Sequence, residues 1–344
     1  MDPSTAAPAV AGLRRMCALL VLVMCVLGTS GVVTPTEGAS SRRIAMGALS
    51  APLNRKATYD AFVRLTGRPP ASWALWVSWG DPKNDDLPSL SFLNHMRRKG
   101  TVPLIIWQPV ITRDQGSARF RFDTIARGDH DDYLRSFAQQ VGRYRGPIIL
   151  RFAHEFEGYW FPWRIGLPGN TVQTFTAAWR HIWEVLRGGP EPLAPNARFL
   201  WSPHGCDCAD TLTPLWPGDR YVDYIGMSVY NWAGLHKVRW LSMATLVRKR
   251  MAGIKRLPRK PIIVAETASY HRGGSKARWI SDGYKTLYRR WPRIVGVLYT
   301  NVDMGTQGVD GHTEDWRLVL PRGGAALRAY KALLRTERFR GRIR

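Results

Sequence analysis

Beyond residue 42 the chain alternates between two patterns. Short runs that are apolar at almost every position are separated by longer stretches in which apolar residues recur every three or four places. The first pattern fits a strand buried on both faces, and the second an amphipathic helix. The strand candidates are RIAMGAL (43–49), WALWVSWG (73–80), TVPLIIWQP (101–109), PIILRFAHE (147–155), ARFLWSPHG (197–205), VDYIGMSVY (222–230), KPIIVAE (260–266) and IVGVLYTNVD (294–303). Helical patterns lie between them, as in LPSLSFLNHMRRKG (87–100), DDYLRSFAQQVGRYRG (131–146), TVQTFTAAWRHIWEVLRGG (171–189) and SKARWISDGYKTLYRRW (275–291). Several of these end in glycine, a common helix stop. Eight strand–helix units in one chain predict a single (β/α)8 barrel, an α/β fold. The competing doubly wound sheet lacks its glycine-rich nucleotide fingerprint; RGGSKARW (272–279) has the glycines without the spacing.

The N-terminus follows another logic. Arg14 and Arg15 precede the apolar core MCALLVLVMCVL, and the small residues GTSG follow, in the order of a secretory signal. The core is shorter than the ~20 residues of a membrane span. Because the run can be extended to Val33, an uncleaved N-terminal anchor is the alternative. The expected organisation is an export segment at 1–33, a polar linker at 34–42, the barrel domain at 43–335 and a basic tail at 336–344. The expected location is outside the cytoplasm, secreted or held at the cell envelope. Cys17 and Cys25 belong to the export segment. Cys206 and Cys208, in HGCDCAD, would close a very small, strained disulfide ring. A zinc site at that point lacks a second cysteine pair, although His204 is near. A local structural role is expected for the pair.

Composition narrows the partners. A 344-residue chain with 45% hydrophobic and 22% charged residues can bury a large core, which argues against wholesale disorder. The formal charge of +24 favours acidic partners. The basic residues are spread along the chain, with local clusters at Arg248–Arg250 and in RTERFRGRIR, and no recognised nucleic-acid module accompanies them. The expectation is a solvated basic surface suited to an anionic cell envelope, no nucleic-acid partner, and a monomer. Fifteen tryptophans provide core, and also platforms for the apolar face of a sugar ring.

The chemistry concentrates in RFAHEFEGYWFPW (151–163), directly after the apolar run PIIL. In a barrel of this kind, reactive residues sit at the C-terminal ends of strands. Glu155 closes the fourth candidate strand and Glu266 the seventh. A lone buried glutamate is as readily a structural partner of a basic neighbour such as Arg151; two at matching strand ends favour chemistry. Two carboxylates across one cleft can divide labour, one attacking an anomeric carbon and the other, kept protonated by an apolar, aromatic surround, giving its proton to the leaving oxygen. A separation of ~5–5.5 Å means retention of configuration, and a wider gap means inversion. HEFEG lacks the second histidine of the zinc motif H-E-x-x-H, since position 158 is Gly158. The acids of GDHDD (128–132) fit a helix start. The chemistry needs neither a metal nor a cofactor.

PIILRFAHEFEGYWFPW, followed about 110 residues later by KPIIVAET, resembles glycoside hydrolase family 26. GTVPLIIWQP, IARGDHDDYLRSFAQQV, VDYIGMSVYNW, LYTNVD and EDWRLV extend the resemblance in order over about residues 44–335. It implies a retaining (β/α)8 hydrolase acting on a β-glycan, most typically endo-acting on β-1,4-mannan. It also implies Glu155 as general acid/base and Glu266 as nucleophile. His154 would lie near the substrate, and Tyr230 would hydrogen-bond to Glu266. Trp160 and Trp163 would form the sugar-binding floor, with Trp107 lining the same cleft, and Arg151 would tune Glu155. Two departures stand out. Glu157 replaces the family's usual asparagine and offers a second candidate acid, and LYTNVD with the later DWR looks closer to glucan-active members. A mixed-linkage β-glucanase, a cell-envelope polysaccharide hydrolase and a non-catalytic carbohydrate-binding protein are the competing readings.

Overall fold

The computed structural model describes residues 42–80, 86–110, 120–205, 209–233, 238–303, 305, 315–321 and 323–343. The export segment, nearly all of the linker, and Cys206 with Cys208 lie outside the described residues.

Eight parallel strands close in sequence order into a barrel: β1 (Ala45–Ser50), β2 (Ser72–Ser78), β3 (Val102–Gln108), β4 (Ile148–Phe152), β5 (Ala197–Trp201), β6 (Tyr224–Asn231), β7 (Ile262–Ser269) and β8 (Ile294–Asn301). β1 pairs with β8 from Ala45–Gly296 to Ser50–Asn301, which shuts the ring. The helices are α1 (Lys56–Thr66), α2 (Leu90–Arg98), α3 (Phe122–Arg127), α4 (Asp131–Tyr144), α5 (Val172–Arg187), the short α6 (Ala209–Leu212), α7 (Met243–Gly253), α8 (Lys276–Arg290) and α9 (Ala325–Arg335).

Alternation along each strand divides two apolar layers. Ala45, Leu49, Ala74, Leu104, Ile106, Ile149, Leu200, Ile263 and Leu298 fill the barrel. Trp73, Leu75, Val77, Ile105, Trp107, Ile148, Leu150 and Phe152 pack outward under the helices. Burial of one such aliphatic side chain contributes roughly 1.5–3 kcal/mol, so a slip of one residue would move every strand's contribution to the wrong layer.

Local sequence chemistry sets the helix ends. Thr171 caps α5 by accepting from Thr174 N, and Thr174 returns the bond to the Thr171 N–H. The next turns present Phe175, Ala178, Trp179, Ile182 and Trp183 to the barrel. Asp131 and Asp132 begin α4, and Asp131 takes bonds from His181 (2.6 Å) and Arg135 (2.9 Å). Ser275 caps α8. The lysine of RGGSKARW, Lys276, is buried and donates to the carbonyls of Trp316 and Arg317.

The basic tail differs from the expected appendage. Residues Arg42–Arg344 form one compact unit. Ile44 N donates to Arg338 O at 2.8 Å and Gly341 N to Ile44 O at 3.0 Å. Phe339 and Ile343 are each 4% exposed, and Ile343 joins the residues that fill the barrel from below.

Candidate active site

The C-terminal end of the barrel gathers most of its buried polar side chains. Arg151 lies on the inward face of β4 and is fully buried. Its Nε donates to Ser202 Oγ (2.9 Å), one Nη to Ser228 Oγ (3.0 Å) and the other to Glu266 Oε1. Glu155 Oε1 lies 4.0 Å from the guanidinium. Both carboxylates therefore flank one cation, and every arm of that cation has a partner. Removing one member of such a buried set typically costs 3–5 kcal/mol.

Glu266 is held from two sides. Besides Arg151 on Oε1, the Tyr230 hydroxyl donates to Oε2 at 2.6 Å and lies 3.0 Å from Thr300 Oγ1. Burial, with Glu266 beside it, pushes the Tyr230 phenol well above its ordinary range, so it remains a donor. Glu266 does not close its strand, since β7 continues to Ser269. The carboxylate is aimed instead by a bulge: Met227 pairs with Val264 and Ser228 with Glu266, which leaves Ala265 as the extra residue.

Glu155 is held differently. β4 stops at Phe152, and the chain then turns sharply, with Ala153 at φ 41° and Glu155 at φ 54°. Left-handed backbone at residues other than glycine is strained and tends to cluster at functional sites. Glu155 N donates to Ser202 O at 2.8 Å, which fixes the turn. Its Oε2 accepts from Trp160 Nε1 at 3.0 Å, and His204 Nδ1 stands 3.6 Å away. Burial alone would raise the Glu155 carboxyl. Its surroundings, the His204 ring first and the Arg151 guanidinium after it, instead hold it well below the usual carboxylate range. This corrects the expectation of an acid kept protonated by apolar rings: the rings are there, but Trp160 directs its N–H at the carboxylate and the Arg151 guanidinium lies 4.0 Å behind it.

Glu157 is the carboxyl that burial raises. Its Oε1 accepts from Gly205 N at 2.8 Å, and its Oε2 is sealed, without a hydrogen bond among the described residues. A sealed oxygen cannot reach a glycosidic bond, so Glu157 braces the turn at 204–205.

The aromatic residues separate by exposure. Trp160 is 44% exposed beside Glu155, and its neighbour Tyr159 is 84% exposed. Trp163 is 2% exposed, stacked beneath Phe161 at 4.3 Å and bonded to His154 O, so it supports the wall rather than facing a ligand. His154 is likewise 2% exposed, edge-on to Phe161 and Trp76. Burial and the neighbouring Arg151 hold its ring neutral. Trp107 does not line the cleft. It sits on the outward parity of β3, stacked on Phe137 at 4.3 Å and donating to Tyr133. The inward residue at that strand end is Gln108, which accepts from Ser78.

Ser202, Ser228, Thr300 and Gln108 complete the site without standing out in the sequence, and so does the pairing of His204 with Arg250. The serines, Thr300 and Gln108 share the inward parity of their strands, a signal available from alternation alone. The reach of Arg250 from α7 has no sequence signal.

Residues 129–251 match the profile of glycosyl hydrolase family 26. Endoglucanase H of Acetivibrio thermocellus is 29% identical over 256 residues, covering 72% of this chain and 25% of that protein. A mannan endo-1,4-beta-mannosidase of Bifidobacterium adolescentis is 31% identical over 105 residues, 29% of this chain and 10% of that protein. The chain thus spans a quarter or less of the length of these relatives. Among solved structures, the catalytic domain of an endo-beta-1,4-mannanase from Bacillus sp. JAMB-750 superposes with a TM-score of 0.62 at 16% identity, covering 88% of each chain, a likeness of fold.

Proposed function

The chain belongs to glycosyl hydrolase family 26, and on that premise we propose that it is a retaining endo-β-glycanase that works outside the cytoplasm on β-1,4-mannan. One observation carries the reading: Glu155 and Glu266 flank the single guanidinium of Arg151 at the open end of the barrel, beside an exposed tryptophan.

In this reading a sugar ring stacks on Trp160. Glu266, aimed by Arg151 and Tyr230, attacks the anomeric carbon while Glu155 gives its proton to the departing oxygen. Glu155 then takes a proton from water, and that water's oxygen displaces Glu266 from the sugar. The donors around Glu155 favour its anionic form, which the second step needs. The first step needs the protonated form, so turnover should be highest on the acid side of neutrality. The order of charged, apolar and small residues in the first 33 positions supports export.

A mixed-linkage β-glucan is the second reading. It is favoured by the likeness to endoglucanase H, which spans far more of this chain than the mannosidase match. The test is hydrolysis of soluble mannan, lichenan and xylan by the wild type and by Glu266→Ala, with product anomers followed by NMR. Turnover of mannan with a retained anomer, lost in the variant, is the expected result. Lichenan as the better substrate selects the second reading. Binding without turnover, or an inverted product, overturns the mechanism.

A further inference from the structure

His204 and Arg250 stand outside the pair of carboxylates, yet their hydrogen bonds lead to one of them. Arg250 reaches from α7 beneath the end of β5. Its Nε donates to Ser228 O (3.2 Å), one Nη to Gly205 O, and the other lies 2.8 Å from His204 Nε2. A guanidinium has only donors. The nitrogen it meets must therefore be an acceptor, and a neutral imidazole then carries its hydrogen on the other nitrogen. That nitrogen, Nδ1, is buried, has no hydrogen bond among the described residues, and stands 3.6 Å from Glu155 Oε2. The distance is longer than a hydrogen bond, and a small rotation of either side chain closes it.

The surroundings keep this geometry in place. The His204 ring lies edge-on to Trp160, with ring centres 4.8 Å apart, and Trp160 donates to the same Oε2. Gly205 has φ 81°, and a Cβ there would come within 2.8 Å of Arg250 Cδ, so the turn needs glycine both for its backbone and for the arginine to pass. Glu157 accepts the Gly205 N–H and braces the turn from behind.

We propose that Arg250 is a positioning residue for Glu155, acting by fixing His204 as the neutral Nδ1–H tautomer with that hydrogen aimed at Glu155 Oε2. The proposal rests on the reading of Glu155 as the acid/base. The charged and titratable groups around Glu155 are Arg151 and His154 from β4 and its turn, Glu157 on the same turn, His204 after β5, Tyr230 on β6, Arg250 on α7 and Glu266 on β7. Among them, His204 is the one that meets the Arg250 guanidinium directly. An imidazolium there would lose its bond to Arg250 and set two cations side by side. The arginine thus keeps His204 neutral while Glu155 exchanges its proton, so that Glu155 titrates beside a fixed dipole and not beside a second changing charge.

The test is nitrogen-15 NMR of the histidine rings in the barrel protein at pH 7, with the His204 signals assigned by their loss in His204→Gln. The wild type is expected to show Nδ1 protonated and Nε2 bare. Arg250→Met is expected to convert the ring to the Nε2–H tautomer, which turns the Nδ1 lone pair toward Glu155. The alkaline limb of kcat/KM on the polysaccharide then moves upward by about one pH unit. Arg250→Lys, which can still donate, should retain the wild-type tautomer. An imidazolium or an Nε2–H ring in the wild type overturns the proposal. So does an Arg250→Met protein whose tautomer and pH profile match those of the wild type. Should Arg250→Met fail to fold, the wild-type and Arg250→Lys spectra still decide. Should no β-glycan be cleaved at all, the reading of the function fails, while the tautomer still reports whether Arg250 sets the ring.

Discussion

The ends of β4 and β7 present the same side chain to the same cleft and hold it in opposite ways. Glu266 stands inside a strand that runs three residues beyond it, turned by a bulge and gripped by Arg151 and Tyr230. Glu155 stands beyond a strand that has already ended, on a turn with two left-handed residues, and its donors come from the loops carrying Trp160 and His204. A ladder residue keeps its place through backbone bonds on both sides, whereas a loop residue keeps its place only as long as its neighbours do. Under the proposed mechanism, the difference suits a nucleophile that must be aimed once and an acid/base that must change protonation twice per turnover.

Loss of either carboxylate tests this division most severely. Glu266→Ala should lower kcat on polysaccharide by about 10⁴-fold or more, on any substrate tried. Glu155→Ala should cost roughly 10²–10⁴-fold on polysaccharide. It should cost far less in the release of the aglycone from aryl glycosides with acidic leaving groups, followed by burst-phase absorbance. Equal losses on both substrate types would erase the distinction. A smaller effect is expected at Tyr230. Tyr230→Phe removes one of the two donors on Glu266 and should reduce kcat/KM by roughly 10²-fold, with little change in melting temperature. A loss confined to stability would make the hydroxyl a packing element.

The smallest effect concerns the brace beneath Glu155. Burial raises the Glu157 carboxyl above its unfolded value, so the folded protein holds that proton more tightly than the unfolded chain does. The stability it contributes is complete below the unfolded carboxylate range and is lost as pH rises through the folded value. Glu157→Gln keeps the acceptor for Gly205 and removes the ionisation. It should match the wild type in thermal melts near pH 4 and melt at a higher temperature than the wild type above neutrality. A variant that is less stable at every pH would show that the charge itself is needed.

The sequence carried the barrel well, because all eight buried strands announce themselves as apolar runs and the site segment is dense in unusual residues. What it hid has physical reasons. Trp107 looked like a cleft residue because it is aromatic and near a strand end, but strand parity faces it outward, where Phe137 and Tyr133 cover it. Alternation counted from Leu104 and Ile106 would have selected Gln108. Trp163 is the same residue type as Trp160 three positions on, and only its stack under Phe161 and its bond to His154 O, seen in the structure, distinguish it. The bulge at Ala265 leaves no trace in KPIIVAET, since an extra alanine in an apolar run is invisible to periodicity. The charge state of Glu155 is not legible in its neighbours' composition, because apolar composition does not fix apolar contact. A tryptophan presents an N–H as well as a ring. The tail after residue 335 reads as basic and solvated, yet two apolar side chains among the arginines tie it down.

That tail brings both ends of the barrel's chain to one place. Residues 44 and 341 are joined by a backbone hydrogen bond at the end of the barrel away from Glu155 and Glu266. A short linker between the ends, with new termini cut into a surface loop, should give a circular permutant whose strands close in their original order. For the same reason, a support or label attached at residue 42 would leave the rim that carries Glu155, Glu266 and Trp160 clear, a practical route to immobilising the protein with that face outward.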